Sequence, residues 1–347
     1  MIAKVYFSKR IEFSCLFLYS TTVMNTIVPI ASGKGGVGKT IFTANLGVAL
    51  AGEGKTCLLV DLDLGSSNLH TCLGIKNNNP GIGNYIYKQE SSLESLIIET
   101  ETPRLYFIPG DSLMPATANL PYFSKKKILK ELSGLVADYI LIDLGAGSSY
   151  NVIDFFLASS NGLIVTTPET TSILSSYSFL KTTVYRLIFR SFPPKSRERQ
   201  IIQDFAATPV EGNSQSFNHL VDLLGRHRPE SGERARSQLE NFFPRVILNR
   251  GRSNRDFAVG AKLREISRKN LGIPMEYIGF LPEDPQVSRS IFTRRPYMLT
   301  DPEAAFSRGL HMVARKLIAT ELKASPRLFD EDGQDIQELR SEFSRLQ

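Results

Sequence analysis

Cysteine is scarce. The 347-residue chain holds three, Cys15, Cys57 and Cys72, and no two of them form a C-x-x-C pair. That spacing argues against a zinc site and a cysteine-held iron–sulfur cluster, and the odd count argues against a disulfide framework and for a reducing compartment. Long apolar runs are also missing. No stretch reaches the roughly 18 apolar residues of a membrane-crossing helix. Charge of one sign is not in great excess: the net charge is +6 and the pI about 9.1. Such a balance permits contact with nucleic acid or an anionic membrane without demanding either. No internal repeat stands out. What remains, 42% hydrophobic and 22% charged residues, is the composition of a globular protein with a core that needs no staple. The length suits one large α/β domain with an insertion, or two small domains.

The pattern along the chain alternates. Apolar runs read as buried strands at Ile27–Ala31, Thr56–Leu62, Leu105–Ile108, Tyr139–Leu144, Gly162–Thr167, Arg245–Leu248 and Tyr277–Leu281. Helical periodicity fills most gaps, at Ile41–Ala51, Ser124–Leu132, Val152–Ala158, Thr171–Phe189, Ala258–Asn270 and Pro302–Leu322. Strands alternating with helices predict an α/β fold whose sheet, of about seven to eight mostly parallel strands, carries helices on both faces. Right-handed crossovers place the C-terminal ends of the strands on one edge, where ligands bind.

Three stretches depart from this pattern. Ile11–Val23 is moderately apolar after Lys9-Arg10, but Glu12 interrupts it and no small-residue cleavage site follows. Met24-Asn25-Thr26 leads straight into the first strand. Met24 is therefore the expected start of the domain, with residues 1–23 a mis-assigned or disordered extension and 24–322 the main α/β domain. Residues 191–243 far exceed an ordinary connection. With helical patterns at Phe217–Leu224 and Ala235–Phe243 and a flexible-looking Gly225–Gly232 between them, they read as an inserted helical subdomain or lid. The tail, 323–347, has an amphipathic segment from Asp335 to Gln347 with Ile336, Leu339, Phe343 and Leu346 on one stripe. Acids outnumber bases there, so the stripe suits a partner protein better than anionic lipid.

The chemistry concentrates at Gly33-Lys34-Gly35-Gly36-Val37-Gly38-Lys39-Thr40. This run meets G-x-x-x-x-G-K-[ST] between a predicted strand and a helix that opens with Ile41, which marks a P-loop. Glycines let the backbone turn its N–H groups toward phosphate, and the helix N-terminus adds positive potential. Lys39 is placed for the β- and γ-phosphates of ATP and Thr40 for Mg²⁺. Asp61 and Asp63 point the same way at the end of the second strand. Ile140-Leu141-Ile142-Asp143 is an apolar strand ending in a carboxylate, as a Mg²⁺-supporting aspartate requires.

Lys34 is surplus to a phosphate cradle. With it, Lys-Gly-Gly-Val-Gly-Lys-Thr resembles the deviant Walker A loop of the MinD/ParA superfamily. Asp61-Leu62-Asp63-Leu64-Gly65-Ser66-Ser67-Asn68-Leu69, Asn151-Val152-Ile153-Asp154-Phe155 and Thr166-Thr167-Pro168-Glu169-Thr170-Thr171 look most similar to its FlhG/FleN and MinD branches. The resemblance runs from Met24 to about Leu322, outside the insertion. It implies a Mg²⁺-dependent ATPase that forms an ATP-dependent homodimer, with Lys34 reaching the partner copy's phosphates. It also implies that Asp63 orients water and supports Mg²⁺, and that Gly145-Ala146-Gly147 moves as a switch. Asn249, Arg250, Pro282, Glu283 and Asp284 would bind the adenine. Such proteins control flagellar number or placement, or the division site. The implied setting is cytoplasmic, with a regulatory protein partner and reversible attachment to the inner face of the membrane. Two alternatives stay open: a ParA-type partition ATPase holding nonspecific DNA through its arginines, and an ATP-dependent binding module that does not hydrolyse.

Overall fold

The computed structural model describes residues 25–110, 120–160, 162–207, 216–319 and 333–346. The expected extension at residues 1–23 lies outside them. Eight strands form one sheet: β1 (Thr26–Ser32), β2 (Cys57–Leu62), β3 (Ile98–Glu99), β4 (Leu105–Ile108), β5 (Tyr139–Ala146), β6 (Leu163–Thr166), β7 (Arg245–Gly251) and β8 (Glu276–Pro282). Their order is β3-β4-β2-β5-β1-β6-β7-β8. Every pair is parallel except β3 with β4. The expected α/β class is borne out. β3, the strand the sequence pattern did not reveal, has two residues on the outer edge, too few for any periodicity.

Helices cover both faces. α1 (Lys39–Gly52) leads from β1 to β2, and the short α2 (Leu69–Cys72) and α3 (Ile82–Ile86) follow β2. α4 (Tyr122–Gly134) precedes β5, and α5 (Tyr150–Phe156) precedes β6. Between β6 and β7 lie α6 (Thr170–Arg190), α7 (Arg197–Ala207), α8 (Phe217–His227) and α9 (Pro229–Glu240). α10 (Asp256–Leu271) joins β7 to β8, after which come α11 (Pro285–Thr293), α12 (Tyr297–Thr300), α13 (Ala305–Ala319) and α14 (Gln334–Leu346). Because side chains alternate along a strand, β2 sends Leu58, Val60 and Leu62 into the core under α4–α6 and α10. Its Cys57 and Leu59 go to the core under α1 and α13. This two-sided burial is why the strands read as unbroken apolar runs.

Three expectations about the outer segments need correction. Gly225–Gly232 is no flexible loop: α8 runs to His227, Arg228 breaks it, and Pro229 opens α9 at a position where a missing N–H costs nothing. Nor can the insertion act as a lid. α6 begins just after the C-terminal end of β6 and runs away from it, so α7–α9 return the chain to the N-terminal start of β7. Ser216 accordingly bonds the Lys269 carbonyl at the far end of α10 (3.2 Å). The tail helix α14 is also not a free surface. Ile336, Leu339, Phe343 and Leu346 are buried, with Phe343 against Phe257 and Phe280. Asp335 pairs with Arg264 and accepts from the Tyr277 amide (2.7 Å). The amphipathic stripe is used up covering the edge strand β8.

A buried carboxylate ties three helices together. Asp154 on α5 accepts from Lys125 of α4 (2.6 Å) and from Arg186 (2.9 and 3.0 Å) and Arg190 (3.2 Å) of α6. Burial by itself would raise its pKa, but the Arg186 and Lys125 hydrogen bonds outweigh burial and hold it below the ordinary carboxylate range. A depressed pKa stabilises the fold fully above about pH 4 and ceases to do so as pH falls through the lowered value. Asp154→Asn is therefore expected to cost roughly 3 kcal/mol near neutral pH. In denaturant titrations its deficit against wild type should shrink steadily on acidification below about pH 4. A deficit independent of pH would contradict this role.

Candidate functional site

β1 ends inside the sheet, between β5 and β6, and the chain there turns through the Gly-rich loop into α1. Gly38 stands at the helix start with φ +86°, a left-handed conformation that favours glycine. No side chain caps the first turn of α1, so its N–H groups remain available to an anion. Gly33 is needed for a different reason. A Cβ there would lie 2.2 Å from the Ser175 backbone, because the first turns of α6 pack directly on the loop.

Inside the loop the charges are paired. Lys39 Nζ donates to Asp143 Oδ1 at 2.7 Å, with the two side chains 6% and 1% exposed. Thr43, one turn along α1, donates to the same oxygen (3.2 Å). The adjacency follows from the sheet: Asp143 on β5 lies level with Ile30 of β1 on one side and with Asp61 of β2 on the other. Asp61 is fully buried and accepts from the Ser67 hydroxyl (2.6 Å), the Leu69 amide (3.1 Å) and the Asp63 amide (3.0 Å). Burial first, then the Asp143 carboxylate beside it, push its pKa upward, against the pull of those donors. Asp61 thus holds the loop after β2 rather than facing the crevice. Asp63 is the one that faces it, half-buried with Oδ1 against Gly145.

Two clefts meet at the P-loop. One, about 370 Å³, is lined by loop residues from Gly35 to Ile41, by Asp63 and Asn68, and by Arg250 and Ile291. The second, about 290 Å³, is formed by Gly38, Ile41, Asn249, Arg250, Pro282, Glu283 and Asp284 with neighbours from α11. Gly38, Ile41 and Arg250 line both, so the two form one groove. Residues more than 200 positions apart in sequence, proposed separately for phosphate and base, are brought together there. Asn249 has an unexpected partner: its amide nitrogen donates to the Val37 carbonyl (2.8 Å) and so braces the P-loop. Asp284 caps α11 through the Gln286 amide (2.8 Å) and receives the Tyr297 hydroxyl (2.7 Å). Glu283 is ion-paired with Arg252. The buried Ser32 hydroxyl, lining the phosphate cleft, has no hydrogen-bond partner among the described residues. An orphaned donor, open helix N–H groups and a buried ammonium together fit a phosphorylated ligand.

Lys34 sits apart from this pairing. Its ammonium is one-third exposed and bonds Glu169 and Thr171, both at 3.0 Å. The Lys34 hydrogen bond holds the Glu169 carboxyl below its ordinary range. Neither partner was picked out as a site residue from the sequence. Their segment, Thr166–Thr171, carries only a family resemblance in the sequence, and 135 residues separate Lys34 from Glu169.

A doubly wound parallel sheet with this loop at its switch point defines a P-loop nucleotide-binding protein. More narrowly, residues 28–297 match the CobQ/CobB/MinD/ParA nucleotide binding domain, and the chain belongs to that family. Among individual proteins, it is 36% identical over 159 residues to the flagellum site-determining protein YlxH of Helicobacter pylori, a match covering 44% of this chain and 52% of YlxH. The chain thus spans about half the length of that relative. It is 24% identical over 303 residues to the antiactivator FleN of Pseudomonas aeruginosa, covering 87% and 89% of the two chains. Its fold is shared with the septum site-determining protein MinD of Pyrococcus horikoshii, solved with Mg-ADP. That likeness has a TM-score of 0.58 and 24% identity, covering 87% of this chain and 99% of the other.

The Gly38 geometry generates a test. Gly38→Ala would meet the Asn249 amide at 2.6 Å in a backbone conformation unfavourable to alanine. Strain of about 1–3 kcal/mol predicts that calorimetry will find affinity for Mg-ADP weakened roughly five- to 150-fold, with the fold retained. Unchanged affinity would contradict the loop's role.

Proposed function

We propose that this chain is an ATP-driven dimerisation switch that hydrolyses ATP slowly and regulates where, or how many of, a cell-surface or division structure is built. The observation that carries the reading is Lys34. A second cation stands in the same loop, next in sequence to Gly35 of the phosphate cleft, surplus to the phosphate cradle and partly exposed. A cation supplied from outside a nucleotide site stabilises the charge that develops on transferring phosphoryl oxygens. In the dimer, Lys34 leaves Glu169 and Thr171 for the partner copy's phosphates. Similarity to YlxH, FleN and MinD proteins supports the positional role, and a solved MinC:MinD complex from Aquifex aeolicus with the same fold is a precedent for a regulatory protein partner.

In this reading the residues divide the work. The amides of Gly35, Gly36, Val37 and Gly38 cradle phosphate, and Lys39 exchanges Asp143 for the phosphate oxygens. Asp63, against Gly145 near the end of β5, orients the attacking water. Thr40, Asp63 and Asp143 are the residues that would hold Mg²⁺, which when bound offsets phosphate charge. Ile41, Asn249, Arg250, Pro282, Glu283 and Asp284 enclose the base, with the Asn249 oxygen and backbone groups reading its edge.

The test uses Asp63→Ala to halt turnover. Its solution mass is expected to be that of a dimer with Mg-ATP and a monomer with Mg-ADP. The Lys34→Ala, Asp63→Ala double variant should stay monomeric throughout. Wild type should release phosphate from ATP and Asp63→Ala should not. A monomer in every state would refute the cross-dimer lysine, and an ATP dimer without phosphate release by wild type would leave a non-hydrolysing binding module.

A further inference from the structure

Asp143 has a second side-chain donor whose single proton is divided between two acceptors. Thr43 lies on α1 one turn beyond Lys39, with no exposed surface. Its hydroxyl stands 3.0 Å from the Lys39 carbonyl and 3.2 Å from Asp143 Oδ1, the oxygen that also receives the Lys39 ammonium at 2.7 Å. A hydroxyl carries one hydrogen, so at any moment it serves only one of these oxygens. Bonding back to the carbonyl four residues earlier is a common habit of threonine within a helix. The nearness of Asp143 is not part of that habit, because it is imposed by β5 lying beside β1 in the sheet.

The two acceptors differ in what they can do without. Inside α1 the Lys39 carbonyl also receives the Thr43 amide, so it does not depend on the hydroxyl. Asp143 is 1% exposed, and Asp61 of β2, a second buried carboxylate, lies level with it. While Lys39 holds Asp143, its charge is matched. Once the ammonium turns to phosphate, a carboxylate withdrawn from water is left beside another. A hydrogen bond made to it then contributes more than one made to a neutral carbonyl. Thr43 makes that bond by turning its O–H about the Cβ–Oγ1 bond, with no movement of the backbone.

We infer that Thr43 is a positioning residue for nucleotide binding: its hydroxyl proton, divided at rest between the Lys39 carbonyl and Asp143, commits to Asp143 Oδ1 when Lys39 leaves for phosphate, and so holds the Asp143 carboxylate satisfied and fixed in direction. The proton stays on Oγ1 throughout, and only its acceptor changes. The inference rests on the exchange of Lys39 proposed above, and removing the ammonium by mutation tests it without nucleotide.

Denaturant titration of the nucleotide-free chain compares wild type, Thr43→Val, Lys39→Ala and the double variant. The loss caused by Thr43→Val should be larger in the Lys39→Ala background than in wild type, by roughly tenfold in the folding equilibrium constant. Thr43→Ser keeps the hydroxyl and should lose the same amount in both backgrounds. A merely structural threonine would show no such dependence on Lys39. Calorimetry supplies the second reading: Thr43→Val should weaken Mg-ADP binding roughly tenfold, and Thr43→Ser should recover most of that loss. Equal losses from Thr43→Val in the two backgrounds, or Mg-ADP affinity of Thr43→Val within twofold of wild type, would overturn the role of Thr43 while leaving the exchange of Lys39 intact. Wild type that does not bind Mg-ADP would overturn the exchange itself, and the inference with it.

Discussion

The rest of the site depends on one buried ion pair, the Lys39 ammonium against the carboxylate that closes β5. Lys39 and Asp143 are almost wholly withdrawn from water and lie 2.7 Å apart, so removing either strips the other of its buried partner. Their meeting is a consequence of strand order. Because β5 is threaded between β1 and β2, the P-loop leaving β1 opens directly beside the carboxylate at the end of β5. Asp61, one strand further, is pushed toward its neutral form by burial and by that same carboxylate. It is left to organise the loop that presents Asp63. A ligand carrying several negative charges is the natural competitor for Lys39, which makes the pair a resting partnership that phosphate can replace.

Much of this was legible in the sequence, for physical reasons. A parallel strand buried on both faces must be an apolar run, and each of the seven expected strands was found at or within a few residues of its place. The P-loop was legible because its backbone conformations need glycine at fixed spacing, and Asp143 because a charge closing such a strand is conspicuous. What escaped lacked local periodicity or depended on long-range contact. α7 is so polar that Ile202 is the one apolar side chain it fully buries. α2 and α12 have four residues each. The tether of Lys34 to Glu169 and the brace from Asn249 to Val37 join residues 135 and 212 positions apart.

The periphery shows how an amphipathic pattern can be right and its meaning wrong. The stripe on α14 was visible, yet a stripe only says that one face is buried. Here it covers the open edge of β8, pinned by Asp335 at one end and by Arg308 holding the Leu346 carbonyl (2.9 Å) at the other. Exposed apolar side chains stand elsewhere, Phe123 on α4 and Phe292 on α11 among them, where short-range pattern gave no warning. The insertion α7–α9 lies toward the N-terminal start of β7, away from the nucleotide groove.

The central claim is that Lys39 passes from Asp143 to bound phosphate, and ligand-linked melting tests it most directly. Wild type and Lys39→Ala would be melted with and without Mg-ATP at about a hundredfold excess over the wild-type Kd. The account predicts a wild-type transition raised by about 2.7 kcal/mol of linked stability and a folded Lys39→Ala protein whose transition does not move. A Lys39→Ala protein stabilised by Mg-ATP as strongly as wild type would contradict it.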